Sequence, residues 1–178
     1  REVVVQSRNW PAIAEDSSGR RWVIVYKVNQ QAYSVSQEVY YRNDSSWSGP
    51  QAVYTNPGSR PLFQAALAGA SDTSSGIAYA AFRVTGPSPV LSYVVVAKFD
   101  GSNVHADTLT LGMSVTDPTL TVEPYKQDSD RVHVAWENSG EIYYSMTTDA
   151  RGGSINNVWT SPINLSNSNK PSKHACIA

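Results

Sequence analysis

Cysteine is nearly missing from this 178-residue chain, with Cys176 the single one. An internal disulfide is therefore excluded. A lone thiol of this kind is expected to be a buried structural side chain, since free cysteine is among the most buried residue types. An intermolecular bridge, or a partner outside the segment, is the alternative. Charge is scarce as well, at 16% of residues against a usual share of about 25%. Fourteen basic and 15 acidic residues leave a net charge of -1, so no basic field is present to attract nucleic acid or an anionic membrane. No run approaches the roughly 18 apolar residues of a membrane-crossing helix, and no membrane insertion is expected. The three histidines, His105, His133 and His174, lie far apart without a Cys/His cluster, which argues against zinc. Asp128-Ser129-Asp130 starts like a calcium loop but lacks the glycine and the terminal Glu, and it reads as a hairpin turn. Phosphate loops and nucleophile elbows are missing too. No metal and no cofactor is expected. The chain begins at Arg1 rather than Met and shows no signal peptide, so the expectation is that a leader has been removed or that this is an excerpt of something longer.

The polar complement is Ser, Thr, Asn and Gln, beside 10 Tyr and 5 Trp. That balance suits an extracellular or cell-surface all-β protein, and the length favours one domain. Two Asn-x-Ser sequons, at Asn43 and Asn164, would matter in a eukaryotic secreted setting. The clearest stretch runs from Arg131 to Ser166. Val132, Val134 and Trp136 alternate with His133 and Ala135, as in a strand with two distinct faces. The turn Asn138-Ser139-Gly140 follows, then the strand Glu141 to Met146, and a third strand from Trp159 to Ser166. Upstream, Trp10 to Ala14, Trp22 to Tyr26, Glu38 to Arg42 and Gln51 to Tyr54 read as strands, as do Ser59 to Ala65, Gly76 to Phe82, Val90 to Phe99, Thr108 to Leu111 and Thr116 to Val122. No stretch reads convincingly as a helix. Lys98 to Gly112 comes nearest, but it alternates and contains the turn signal Asp100-Gly101.

Prolines mark a repeat. Pro11, Pro61, Pro118 and Pro171 each head a first strand, at spacings of 61−11=50, 118−61=57 and 171−118=53. Trp47 and Trp159 precede the fourth strands of their units and lie 159−47=112 apart. Four strands per repeat at a period near 50 is the pattern of β-propeller blades. The division expected is a partial propeller over 1-178: residues 1-7 as the last strand of a preceding blade, blades at 8-58, 59-115 and 116-168, and 169-178 as the first strand of a following one. About three blades plus two orphan strands cannot close a ring of the usual 4–8. Completion by missing blades or by self-association with another copy is expected.

These residues resemble the sialidase-like, BNR/Asp-box family of β-propellers, in which a third strand runs into a Ser/Thr-x-Asp-x-Gly-x-x-Trp turn. Ile142 to Asp149, with Gly152, Gly153 and Trp159 following, is the fullest match, with an insertion between Asp149 and Trp159. Asn43-Asp44-Ser45-Ser46-Trp47 is a shortened version without the glycine, and the middle unit has none. The resemblance implies that Asp149 with Trp159, and Asp44 with Trp47, are structural, the carboxylate accepting backbone N–H bonds and the Trp packing between sheets.

Sialidase-like enzymes hold a substrate carboxylate with three arginines, whose planar forks donate paired hydrogen bonds, and use an Asp with a Tyr/Glu pair. Arg60 before Pro61 and Arg8 near Pro11 have comparable placements, but no second or third matching arginine context follows. Tyr and Glu come together at Glu141-Ile142-Tyr143, beside a turn on the third strand, where a solvated edge is the plainer reading. The expectation therefore leans to a non-catalytic recognition or surface-scaffold domain that takes a glycan or a protein ligand. A glycosidase with its other catalytic residues outside the segment, and a structural unit of a surface assembly, are the alternatives. The resemblance places a binding face on the fourth-to-first and second-to-third strand loops, with Arg8, Trp10, Lys27, Arg60, Arg83, Asp117, Glu137, Asn138 and Lys170 as candidate ligand contacts.

Overall fold

The computed structural model describes residues 11–29, 34–43, 45–57, 62–70, 76–85, 92–101, 103–112, 115–126, 129–147, 155, 158–168 and 170–177. They form twelve strands and, among the described residues, no helix. The first sheet holds β1 (Ala12–Glu15), β2 (Arg21–Asn29), β3 (Ser34–Asn43) and β4 (Ser46–Pro57). The middle sheet holds β5 (Leu62–Gly69), β6 (Ala78–Thr85), β7 (Ser92–Phe99) and β8 (Val104–Gly112). The third holds β9 (Val115–Lys126), β10 (Ser129–Asn138), β11 (Glu141–Met146) and β12 (Ile163–Asn164). Each sheet is antiparallel with its strands in chain order, so each strand pairs with the one that precedes it in its sheet.

Turn chemistry fixes the hairpins. Ser139 and Gly140 both take positive φ, 55° and 83°, and Asn138 pairs directly with Glu141. Two left-handed residues between paired strands are the turn whose twist suits a hairpin. Between β1 and β2, Gly19 at φ 80° lets the chain reverse, and the Asp16 carboxylate organises the turn. Its Oδ1 accepts from the Ser18 N–H at 2.9 Å and the Arg20 N–H at 3.1 Å. Its Oδ2 accepts from Trp22 Nε1 at 2.9 Å. One side chain thereby satisfies donors that would otherwise be buried without partners.

The sheets stack in series. Trp22, Ile24, Val39 and Val53 of the first sheet pack against Ala78, Ala80, Phe82, Val84, Val95, Ala97 and Phe99 of the middle one. The opposite face of the middle sheet, with Tyr79, Ala81, Val94 and Val96, packs against Leu120, Val132, Val134 and Trp136 of the third. The middle sheet is thus covered on both faces, which is why β6 and β7 are apolar almost without interruption. Small residues at 78, 80, 81 and 97 let its neighbours approach. The first strands adjoin across the stack, β1 against β5 and β5 against β9.

Three expectations are corrected. Pro118 does not head a strand but lies inside β9, where the register with β10 shifts between Ala135 and Glu137. A proline is tolerated there because β9 is an edge strand and the bulge removes a ladder bond. Asp128-Ser129-Asp130 is not simply a turn: β10 already starts at Ser129, and Asp130 is fully buried, accepting from the Tyr79 hydroxyl at 2.9 Å. Cys176 is exposed rather than a buried structural thiol.

Candidate functional site

Three junction contacts at one end of the stack, and one at the other, establish how the sheets are oriented. Ser17 N donates to Ala70 O at 3.2 Å, and Arg20 Nη1 to Gly76 O at 3.2 Å, which brings the start of β2 beside the start of β6. Tyr79 to Asp130 does the same for β6 and β10. At the far end, Arg83 Nη1 donates to Val115 O at 3.1 Å, and Val115 pairs with Asn138. The second strands β2, β6 and β10 therefore run in one direction and finish on one rim.

That rim gathers every described residue among the candidate ligand contacts. Lys27 lies near the end of β2, where its exposed ammonium pairs with the buried Glu38 at 2.9 Å. Arg83 is near the end of β6. Glu137 and Asn138 close β10, and Asp117 belongs to the same end by its pairing region on β9, although its side chain is outside the described set. Lys170 is exposed close by, since Ser172 N donates to Gly140 O just beyond β10. Among the described residues the Glu137 carboxylate has no ion pair. Arg8, Trp10 and Arg60 lie outside the described residues.

The Asp-box candidates divide similarly. Asp44 and Asp149 lie outside the described residues. Trp159 is half-buried, packs against the second core, and bridges to Thr147 across the β11 ladder. Trp47 pairs with Arg42 on β3 and lies under its guanidinium at 6.0 Å from ring centroid; it belongs to neither core. In the Glu141-Ile142-Tyr143 pair, Tyr143 stacks on Trp136 at 6.2 Å, and the Glu141 carboxylate accepts from Ser166 Oγ. Both side chains are thus engaged in packing and in holding the returning chain.

Sequence reasoning missed a second feature, on the face of the third sheet turned away from the stack. Arg131, His133 and Ala135 on β10 share that face with Thr121 and Glu123 on β9 and with Ile142 and Tyr144 on β11. Arg131 Nη1 donates to Glu123 Oε1 at 3.0 Å while its guanidinium covers the Tyr125 ring at 3.8 Å. His133 Nε2 lies 3.3 Å from the same Oε1, off the line of a good hydrogen bond. On its other side His133 Nδ1 is 2.6 Å from the Tyr144 hydroxyl, and the two rings stack with centroids 5.9 Å apart. Burial raises the Tyr144 phenol pKa, with the Glu123 charge adding to the rise and Arg131 opposing it. Tyr144 therefore stays a phenol at neutral pH, and its hydroxyl and His133 Nδ1 share one hydrogen bond whose direction follows the imidazole tautomer.

Of these groups Thr121, Glu123, His133 and Tyr144 line a cleft of about 500 Å³. Ala135, Ile142 and Leu165 make its floor, and the chain end at Ala175, Cys176 and Ile177 forms a wall. The alternation Arg131-Val132-His133-Val134 carries the signal that Arg131 and His133 share a face. Their meeting with Glu123 and Tyr144 depends on cross-strand register, which no single strand reveals. Among the described residues no group of His, Cys, Asp and Glu is arranged to hold a metal ion, and no helix is long and apolar enough to cross a membrane. No protein-family profile matches the chain, and no curated protein matches it in sequence.

Proposed function

We propose that the chain is a non-catalytic recognition or scaffold domain of sialidase-like propeller type, secreted or at the cell surface, that contacts glycans through the rim at the ends of β2, β6 and β10. One observation carries the reading: the described candidate contacts, spread from Lys27 to Lys170 in sequence, meet on that single rim because the three second strands run the same way. The blade character is supported by the strand order of each sheet and by first strands that adjoin across the stack, as propeller blades pack. Glu137 and Asn138 offer acceptors and an amide donor, the chemistry that reads sugar hydroxyls. Arg83 is committed to a main-chain carbonyl, so this arginine is not poised as a carboxylate clamp, and hydroxyl recognition is favoured over sialidase chemistry.

The test is an amide-resolved NMR titration with 3′-sialyllactose and with lactose. Shift changes are expected at Lys27, Arg83, Glu137 and Asn138. The double substitution Glu137→Ala, Asn138→Ala is expected to weaken binding about tenfold, worth about 1.4 kcal/mol. Failure of both sugars to move the rim amides refutes glycan recognition there, and release of free sialic acid would assign the enzymatic alternative instead.

A further inference from the structure

Among the described residues the exposed large apolar side chains are confined to the outer sheets of the stack. Ile13 is 69% exposed on the first sheet, and Tyr125, Ile163 and Leu165 are 39%, 54% and 59% exposed on the third. On the third sheet they share the outward face that carries the cleft: Ile163 pairs with Tyr144, and Leu165 N donates to Ile142 O. The cleft is therefore apolar along its floor and polar at one end. Its polar end is rich in acceptors. Glu123 uses Oε1 for Arg131, and its Oε2 has no partner among the described residues. Tyr144 is engaged with His133 Nδ1, and in either direction of that bond its oxygen keeps a lone pair for a further donor. Thr121 adds a hydroxyl.

We infer that this cleft binds a small amphipathic molecule, an aliphatic or aryl body ended by a hydroxyl-bearing ring such as a sugar. The apolar body covers Ile142, Leu165 and Ile177, and the hydroxyls donate to Glu123 Oε2 and the Tyr144 oxygen. A cationic head is disfavoured, since the Arg131 guanidinium already neutralises Glu123. An anionic head is not favoured either, because the Arg131 guanidinium is committed to Glu123 and to the Tyr125 ring. A volume of about 500 Å³ falls within the usual range of ligand sites, roughly 300–1,000 Å³, and an apolar lining with a few convergent polar groups is their common make-up. The site is distinct from the rim and stands whether or not the rim binds glycans.

The probe is octyl β-glucoside below its micelle concentration, followed by NMR on the 178-residue chain, with glucose and hexanol as controls. Saturable shifts are expected at Thr121, His133, Tyr144 and Ile177, with at least tenfold weaker responses to either control. Leu165→Ser and Glu123→Ala, both at exposed side chains, are each expected to weaken binding at least fivefold while circular dichroism stays unchanged. Three results overturn the inference: no saturable shift at these residues; equal binding by Leu165→Ser; or a native mass that rises with concentration while the cleft amides broaden, which would make the face a contact between copies. Shifts confined to the rim also overturn it, and would instead support glycan recognition there.

Discussion

Asp16 shows how much one side chain can organise. It is 4% exposed, and it ties the Ser18 and Arg20 amides to the Trp22 indole. Arg20 beside it covers Trp22 and Tyr41 and reaches Gly76 on the next sheet. The sequence displays the turn around Glu15 to Gly19 plainly. It does not display that the carboxylate in this turn, between first and second strands, anchors the first core, because the indole partner comes from the following strand. The same limit hid the Arg131, Glu123, His133 and Tyr144 network, each member of which is ordinary alone. That network has a titration consequence. Burial raises the phenol pKa of Tyr144, and likewise of Tyr26, Tyr40 and Tyr54, above the ordinary 10.0. A phenol that holds its proton more tightly when folded adds no pH dependence below the unfolded pKa. Stability is lost as pH rises from 10.0 through the folded values. Tyrosinate absorbance of the native chain is accordingly expected to lag behind that of the urea-unfolded chain above pH 10.0, and Tyr144→Phe is expected to narrow the gap. Coincident titration curves would contradict the burial of these rings.

At the scale of elements, the strands were the legible part. Trp22 to Tyr26 lies inside β2, Val132 to Trp136 inside β10, and Glu141 to Met146 matches β11. Alternation and turn residues are local signals, and they survive packing wherever one face meets a core and the other meets water. Pro118 misled because an edge strand with a bulge accepts an internal proline, and a lone sequence does not announce a bulge. Close approach between sheets left a trace in Gly69. A Cβ there would lie 2.6 Å from Asp16 Cα and from Glu15 O, both main chain, so no flexible side chain can yield. Gly69→Ala is expected to destabilise the protein by about 1–3 kcal/mol, the usual cost of overpacking. For a chain of this size about 1 kcal/mol shifts the thermal midpoint by roughly 2–4 °C, so calorimetry should register a drop of several degrees. An unchanged midpoint would mean that the first and middle sheets do not meet at β1 and β5.

For the whole molecule the decisive feature is order: first sheet, middle sheet, third sheet, with the rim and the two outward faces following from it. Sequence periodicity suggested repeats of four strands, and the near-continuous apolar run from Ile77 to Phe82 is what a strand covered on both faces looks like. Which loops share a rim was not readable, because it depends on sheets stacking with their second strands aligned. The central claim is that stacking order, and site-resolved native-state hydrogen exchange tests it most directly. With both faces covered, the β6 and β7 amides from Ala78 to Phe82 and from Val94 to Phe99 are expected to open only with global unfolding and to exchange slowest of all, with β1 and β12 far faster. If instead β6 and β7 exchanged sooner than the central strands of the first or third sheet, the middle sheet would not lie between two cores, and the account would fall.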